Sequence, residues 1–211
     1  MRLVLASASP ARLMLLRQAG IEPIVQPTDV DEDLLVESAK AEHGTLTPET
    51  YVTLLARAKA EAFLNTEASA GFTGLVLGGD SSLELDGEML GKPHTADRAR
   101  ERWLQQRGKT AVLHSGHHVL RIENGERVGA SEAWTATELT FSSDISEPEI
   151  DAYVATGEPL KVAGAFTIDG RGAAFIDTIT GDPSTVIGMS IPAVRRLARE
   201  LDVPWHELWN F

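Results

Sequence analysis

The sequence predicts an α/β protein, and three features carry that expectation. The apolar run Leu3-Val4-Leu5-Ala6 reads as a short buried strand that passes through Ser7-Ala8-Ser9 to Pro10. Ser9 suits a helix N-cap and Pro10 its first turn, so a strand, a tight loop and a helix start follow one another. A second helix opening at Thr47-Pro48-Glu49 precedes another buried strand, Leu75-Val76-Leu77, and the β-rich segments 110–122 and 130–142 flank a turn at Asn124-Gly125.

The remaining elements follow in order. The first helix ends near Gly20, and a second strand is expected at 22–26. Asp29, Asp31, Glu32 and Asp33 fall in a polar connection, and 36–46 reads as an exposed loop or partial helix. From Thr47 onward, Val52, Leu55, Ala56, Ala62 and Phe63 recur at helical spacing, and Gly71 and Gly74 close that unit. The strand at 75–77 runs into Gly78-Gly79-Asp80, after which 81–90 reads as a hairpin turning at Asp86-Gly87. A helix is expected over 95–106, and Ser146 with Glu149 forms a capping box for another that ends near Gly157. A glycine-rich segment at 163–172 leads to a strand at 173–179. Ser190 opens a last helix that stops near Leu201, before Pro204. No internal repeat or low-complexity tract appears, and the 211 residues suit one α/β domain or two closely fused lobes.

Composition narrows the function. With 31 acidic against 19 basic residues the formal charge is −12, and such a field repels a polyanion, so neither nucleic acid nor an acidic membrane surface is expected as a partner. Phosphate bound by this chain must be held locally. The absence of cysteine excludes disulfides, zinc–thiolate sites and a thiol nucleophile. The first apolar run is too short for a signal peptide and no later one reaches bilayer length, which points to a cytoplasmic protein.

Several segments carry residue types suited to phosphate chemistry. Ser7 to Arg12 lies where a helix N-terminus presents free N–H groups to an anion, although the same residues also make an ordinary Ser-Pro cap. Asp31 and Glu32 offer carboxylates to a hard cation, but an acidic loop in so negative a chain also reads as solvated surface. Asp80 is expected at the carboxyl end of an apolar strand, where open α/β sheets place ligand-binding groups, and Gly78-Gly79 permits close approach of the backbone. Lys92, after the turn, suits a non-bridging phosphate oxygen; an ordinary hairpin with surface charges fits equally. The run Gly87 to Pro93 is not a P-loop: it has too few residues between its glycines, and Pro93 stands where a hydroxyl is needed. His114, His117 and His118 lack an accompanying cysteine or acid and read as core or surface histidines. In the segment Ala163 to Gly172, small residues allow a flat base near the backbone. Asp169 there could accept from a base N–H edge, as guanine offers, or be a solvated turn residue.

Taken in order, these segments resemble the Maf family of nucleoside triphosphate pyrophosphatases from Leu3 to about Leu201. The matching residues are Leu5-Ala6-Ser7-Ala8-Ser9-Pro10 with Arg12, Asp31-Glu32, Leu55-Ala56 with Lys59-Ala60, Gly79-Asp80-Ser81, Leu90-Gly91-Lys92-Pro93, Thr156-Gly157-Glu158-Pro159, Ala163-Gly164-Ala165-Phe166, and Gly181-Asp182 with Val186-Ile187-Gly188. The resemblance implies a single Maf-like domain over 1–211: two α/β lobes around a long mixed β-sheet with a central cleft, similar to inosine triphosphate pyrophosphatases. It implies hydrolysis of a nucleoside triphosphate to monophosphate and pyrophosphate, a house-cleaning role toward non-standard nucleotides, and a divalent cation, Mg²⁺ or alternatively Mn²⁺. By position, Asp80 matches the proton acceptor and Glu32 a metal-associated carboxylate, so both are catalytic and metal-site candidates. Ser7, Arg12, Lys59, Ser81 and Lys92 match groups around the phosphates, and Asp169 stands at the base. The resemblance also allows a homodimer and, as an alternative function, a nucleotide-binding regulator of cell division and septum formation.

This chain departs from the family pattern at four places. Ala11 precedes Arg12 where two arginines are usual, Ser81 replaces a threonine, and Lys161-Val162 stands where Asp-Lys is common. Asp169 replaces the glutamine typical of members acting on dTTP and UTP. An ionised Asp only accepts hydrogen bonds, so thymine and uracil are not expected to fit best, and a guanine-like or modified purine is preferred.

Overall fold

A computed structural model describes residues 1–210 and contains, among them, seven α-helices and one seven-stranded mixed sheet. The elements run β1 (Leu3–Leu5), α1 (Pro10–Gln18), β2 (Ile24–Val25), α2 (Glu32–His43), α3 (Pro48–Ala62), β3 (Gly74–Leu85) and β4 (Glu88–Leu90). They continue with α4 (Ala96–Gln106), β5 (Thr110–Glu123), β6 (Glu126–Phe141), α5 (Glu147–Ala155), β7 (Ile176–Thr180), α6 (Pro183–Ile187) and α7 (Ile191–Glu200). Strand order is β2-β1-β3-β5-β6-β7, with β4 paired to β3. β1 is parallel to both β2 and β3, whereas β4 and β7 are antiparallel to their neighbours. No helix among the described residues is long and apolar enough to cross a membrane.

The chain divides into two compact units. The first holds residues 1–80, 115–135 and the chain from Gly188 onward; the second holds 81–114 and 136–187.

In the first unit, Val4, Ala6, Ala60, Phe63, Phe72, Val76, Leu120 and Ile122 form a buried cluster. α3 covers this face of the sheet at very close range because two glycines let it. A Cβ on Gly78 would stand 2.1 Å from the Ala56 carbonyl oxygen, and one on Gly116 would stand 2.3 Å from that of Val52. Val52 and Ala56 lie on one face of α3, so backbone meets backbone along that contact. Gly116→Ala is therefore expected to cost about 3 kcal/mol, because an added methyl in packed structure displaces its surroundings. A Tm drop of roughly 6–12 °C in thermal denaturation would register it; an unchanged Tm would mean that α3 yields freely.

In the second unit, Trp103 of α4 sits at the centre of the core. It stands edge-on to Phe141, Tyr153 and Phe175 at 5.5, 5.3 and 5.5 Å between ring centroids, and its Nε1–H donates to the Ala165 carbonyl at 2.7 Å. One side chain thus ties α4 to β6, α5 and the glycine-rich segment.

Four expectations are corrected. Glu32 and Asp33 do not lie in a polar connection but open the helix α2, with Asp31 as its N-cap accepting from the Leu34 N–H at 3.0 Å; of the loop or partial helix expected over 36–46, the helix forms as far as His43. Asp80 does not end its strand: β3 runs through it to Leu85, and the hairpin expected at Asp86-Gly87 forms as β4 pairs with the second half of that one strand. β6 begins at Glu126 rather than 130. The expected strand at 173–179 begins only at Ile176: residues Arg171–Phe175 form a 3₁₀ turn, since the chain closes tightly at Gly172, where a Cβ would lie 2.5 Å from the Thr167 carbonyl.

The three histidines are buried and each is engaged. His114 Nε2 lies 2.9 Å from Glu84, and His118 Nδ1 lies 3.1 Å from Glu132. His117 Nε2 accepts from the Ser190 N–H at 2.8 Å. Among the described residues no group of three or more His, Asp or Glu side chains is arranged to hold a metal ion.

Candidate active site

The register of the parallel strands creates the site. Leu5, the last residue of β1, pairs with Leu77, and the Ala6 N–H donates to the Leu77 carbonyl at 2.9 Å. Beyond that point the chain leaves the sheet toward α1 while β3 continues, so Asp80 stands just past the carboxyl end of β1. Side chains alternate along β3. Val76 joins the cluster with Ala60 and Phe63, Gly78 packs on Ala56 and Ala60, and Asp80 follows on this same α3-facing side. Gly79 faces the other way, onto Arg12: a Cβ there would lie 3.1 Å from Arg12 Nε.

On the α3 side, Lys59 reaches both acids. Its Nζ lies 2.7 Å from Asp80 Oδ1 and 2.8 Å from Glu32 Oε1. The Lys59 and Asp80 side chains are each only 13% exposed, whereas Glu32, at the first position of α2, is 47% exposed. The Thr28 hydroxyl donates to the Lys59 carbonyl at 2.9 Å, holding the preceding loop against the end of α3.

On the other side, Ser9 caps α1 as expected, and Ser7 and Arg12 meet directly. Arg12 Nη1 donates to Ser7 Oγ at 3.1 Å, and its Nε donates to the Gly188 carbonyl at 2.9 Å. Both side chains are buried. Burial lowers the Arg12 pKa, opposed by the charges of Asp80 and Glu32, and the guanidinium remains cationic at neutral pH.

Asp80 feels competing influences. Burial pushes its pKa up, Lys59 and Arg12 pull it back, Glu32 pushes it up again, and the balance leaves it above the ordinary value of 3.8. A carboxylate that holds its proton more tightly than usual is a better base at neutral pH.

Tyr51, on α3, escaped the sequence reading. Its half-buried phenol has a raised pKa, first from burial and then from the charges of Asp80, Glu32 and Asp33, so it lies within the field of the same acids. Its place on the helix that carries Lys59 was the available signal, but helical periodicity marks apolar positions and passes over a phenol at the flank of the stripe.

Ser81, Lys92 and Asp169 belong to the second unit. Lys92 is exposed on a short strap after β4. There the Gly91 carbonyl accepts from an Arg102 guanidinium N–H and, at 3.3 Å, from the Gly164 N–H, while the His94 N–H donates to the Leu160 carbonyl at 3.0 Å. The strap bearing Lys92 is thereby fastened to the start of the glycine-rich segment. Asp169 is exposed farther along that segment, between Thr167 and Gly172. Ala11 is half-buried on α1 and Lys161 is exposed, so neither departure disturbs packing.

A family model described as Maf-like protein matches residues 2–201. The nucleoside triphosphate pyrophosphatase of Leifsonia xyli subsp. xyli is 53% identical over 210 residues, covering 100% of this chain and 97% of that protein. The protein of the same name from Rhodococcus opacus is 50% identical over 207 residues, covering 98% of this chain and 95% of its own. Among solved structures, the nucleoside-triphosphatase / dITP/XTP pyrophosphatase of Mycobacterium abscessus is 13% identical, over 82% of this chain and 93% of that one, with a TM-score of 0.39. That likeness adds nothing to the sheet seen directly.

Proposed function

Because this chain belongs to the Maf-like protein family, we propose that it is a nucleoside triphosphate pyrophosphatase, cutting between the α- and β-phosphates. The observation that carries the reading is the Lys59 ammonium shared between Glu32 and Asp80, with the buried Arg12 on the other side of β3 still acting on the Asp80 charge, in a molecule of formal charge −12. Lys59 and Arg12 offset the two acids there, so the site lacks the negative excess of the molecule as a whole, and a divalent cation added to it would attract a polyanionic tail that the overall field repels.

The two carboxylates also suit a divalent cation. Mg²⁺ takes one or two protein carboxylates and completes its shell with water and phosphate oxygens. Glu32 and Asp80 each bring one carboxylate oxygen within 2.8 Å of Lys59 Nζ, so the two acids converge closely enough to share a cation. These two residues would hold Mg²⁺, or Mn²⁺, which shares the preference for carboxylate oxygen. When bound, the ion supplies charge neutralisation and polarisation of phosphoryl oxygens.

The chain's own residues do the rest. Asp80 accepts a proton from water as the water oxygen bonds to the α-phosphorus; the bond from that phosphorus to the bridging oxygen breaks, and pyrophosphate leaves with the electron pair. Lys59 and Arg12 offset the charge that grows on the phosphoryl oxygens, and this electrostatic support carries most of the rate enhancement in phosphoryl transfer. Ser7 orients Arg12 through the bond already present. The same reading gives Lys92 a phosphate oxygen and Asp169 the base. Ser81 adds a hydroxyl directly after Asp80.

An Asp at 169 accepts but does not donate, which favours a base with an N–H edge. The physiological role that follows is removal of modified or non-standard purine nucleotides. Incubation with separate nucleoside triphosphates and Mg²⁺ is expected to release pyrophosphate rather than orthophosphate, with a guanine-type nucleotide ahead of dTTP and UTP. Release of orthophosphate would sink the assignment of the bond. A clear lead for dTTP and UTP would sink the role given to Asp169.

A further inference from the structure

We infer that Glu158 is a positioning residue for base selection, holding the segment Thr167–Gly172 in the shape that presents Asp169. The inference rests on the reading that Asp169 meets the base.

Glu158 follows Gly157, whose positive φ of 76° turns the chain out of α5, and its side chain reaches forward to the later segment. One carboxylate oxygen, Oε1, accepts from both ends of that segment: from the Thr167 hydroxyl at 2.6 Å and from the Gly172 N–H at 3.1 Å. The other oxygen faces Arg171 Nη1 at 3.4 Å. Asp169 lies between the two anchored ends, and its own carboxylate takes part in none of these bonds.

The segment is wrapped closely around the glutamate. A Cβ on Gly170 would stand 2.7 Å from Glu158 Oε1 and 2.8 Å from Thr167 Oγ1. A Cβ on Gly172 would stand 2.5 Å from the Thr167 carbonyl and 2.7 Å from the Tyr153 hydroxyl. The two glycines therefore fit a loop whose interior is already filled by a carboxylate, a hydroxyl and a phenol.

Exposure separates the strong contacts from the weak one. The Glu158 side chain is 17% exposed and that of Arg171 is 72% exposed, so the ion pair lies in water and contributes little. The hydrogen bonds to an ionised, mostly covered acceptor are the ones that hold shape. Burial opposes ionisation of Glu158, but the bonds from Thr167 and from the Gly172 and Arg171 backbone outweigh it and bring the pKa down to about 2. The clamp is consequently charged throughout the neutral range. A loop bearing an acceptor offered to the base must be kept rigid, because ordering it at the moment of binding would consume the energy that separates one base from another.

The test is a nucleotide panel with four variants. Glu158→Ala is expected to raise KM more than it lowers kcat, and to flatten the ratio of kcat/KM between the preferred nucleotide and dTTP by roughly tenfold, the scale of one misplaced charged hydrogen bond. Glu158→Gln, whose amide oxygen can still accept from Thr167 and Gly172, is expected to restore most of that ratio. Asp169→Ala should flatten the ratio as well, and Glu158→Ala added to it should change the ratio no further, since both act through one acceptor. An equal loss on every base with the ratio intact would make Glu158 merely structural and overturn the inference. Flattening by Asp169→Ala alone would overturn it while leaving the role of Asp169 standing; no flattening by Asp169→Ala would remove both. If Glu158→Ala does not fold, Thr167→Val deletes one bond of the clamp, and an unaltered ratio there would likewise count against it.

Discussion

Asp80→Asn is expected to lower turnover of every nucleoside triphosphate by about 10²–10⁴-fold, the range that a positioned general base contributes. The amide keeps the size and one oxygen of the carboxylate but cannot take a proton from water. Since Lys59 retains Glu32 at 2.8 Å, its charge does not become an orphan, and the variant should remain folded and still bind a slowly hydrolysed triphosphate. The measurement is pyrophosphate release under saturating substrate, with binding followed separately. Near-normal turnover would remove Asp80 from the chemistry. The variant also separates catalysis from a regulatory role in cell division, because a nucleotide-binding regulator would keep its effect with Asn at this position.

Lys59→Met is expected to have the second large effect, on turnover and on the pH profile alike. Asp80 must be ionised to act as base, so activity falls as pH drops through its pKa, which lies above 3.8. Lys59 pulls that pKa down through its charge and its hydrogen bond. Removing the ammonium abolishes both, the carboxyl holds its proton to higher pH, and the acid limb of the kcat profile moves upward. Turnover at neutral pH should also fall by roughly 10²–10³-fold, the loss seen when one preorganised electrostatic contact to a transition state is deleted. A limb that stays in place, or moves to lower pH, would show that Lys59 does not govern Asp80. The same pKa links to stability: a carboxyl raised in the folded state favours folding below pH 3.8, and that contribution is lost as pH rises through the folded value.

The site was legible to different depths. Ser7 and Arg12 could be read because β1, the loop and the cap of α1 lie within ten residues and signal one another. Asp80 was marked by the two glycines before it, although its position within a strand was misplaced. Glu32 could be read only as one of two acids suited to a cation or to solvent, and Lys59 came only through family resemblance, since nothing in a helical stripe says that its lysine meets acids on other elements. Tyr51 and Glu158 were not singled out at all as site residues, because each acts through neighbours distant in the chain.

What the sequence determined by itself is what contacts between near neighbours decide: the Ser9-Pro10 and Thr47-Pro48 helix starts, the Ser146–Glu149 capping box and the Asp86-Gly87 hairpin. In each, the groups that satisfy one another lie within a few residues, so the pattern contains its own cause. The tertiary structure alone decided that β3 continues through Asp80, that Lys59 unites Glu32 with Asp80, and that the chain from Thr167 to Gly172 closes around Glu158. The energies there come from a neighbouring strand or from a buried charge that must find its counterpart, and such encounters are set by the packing of whole elements.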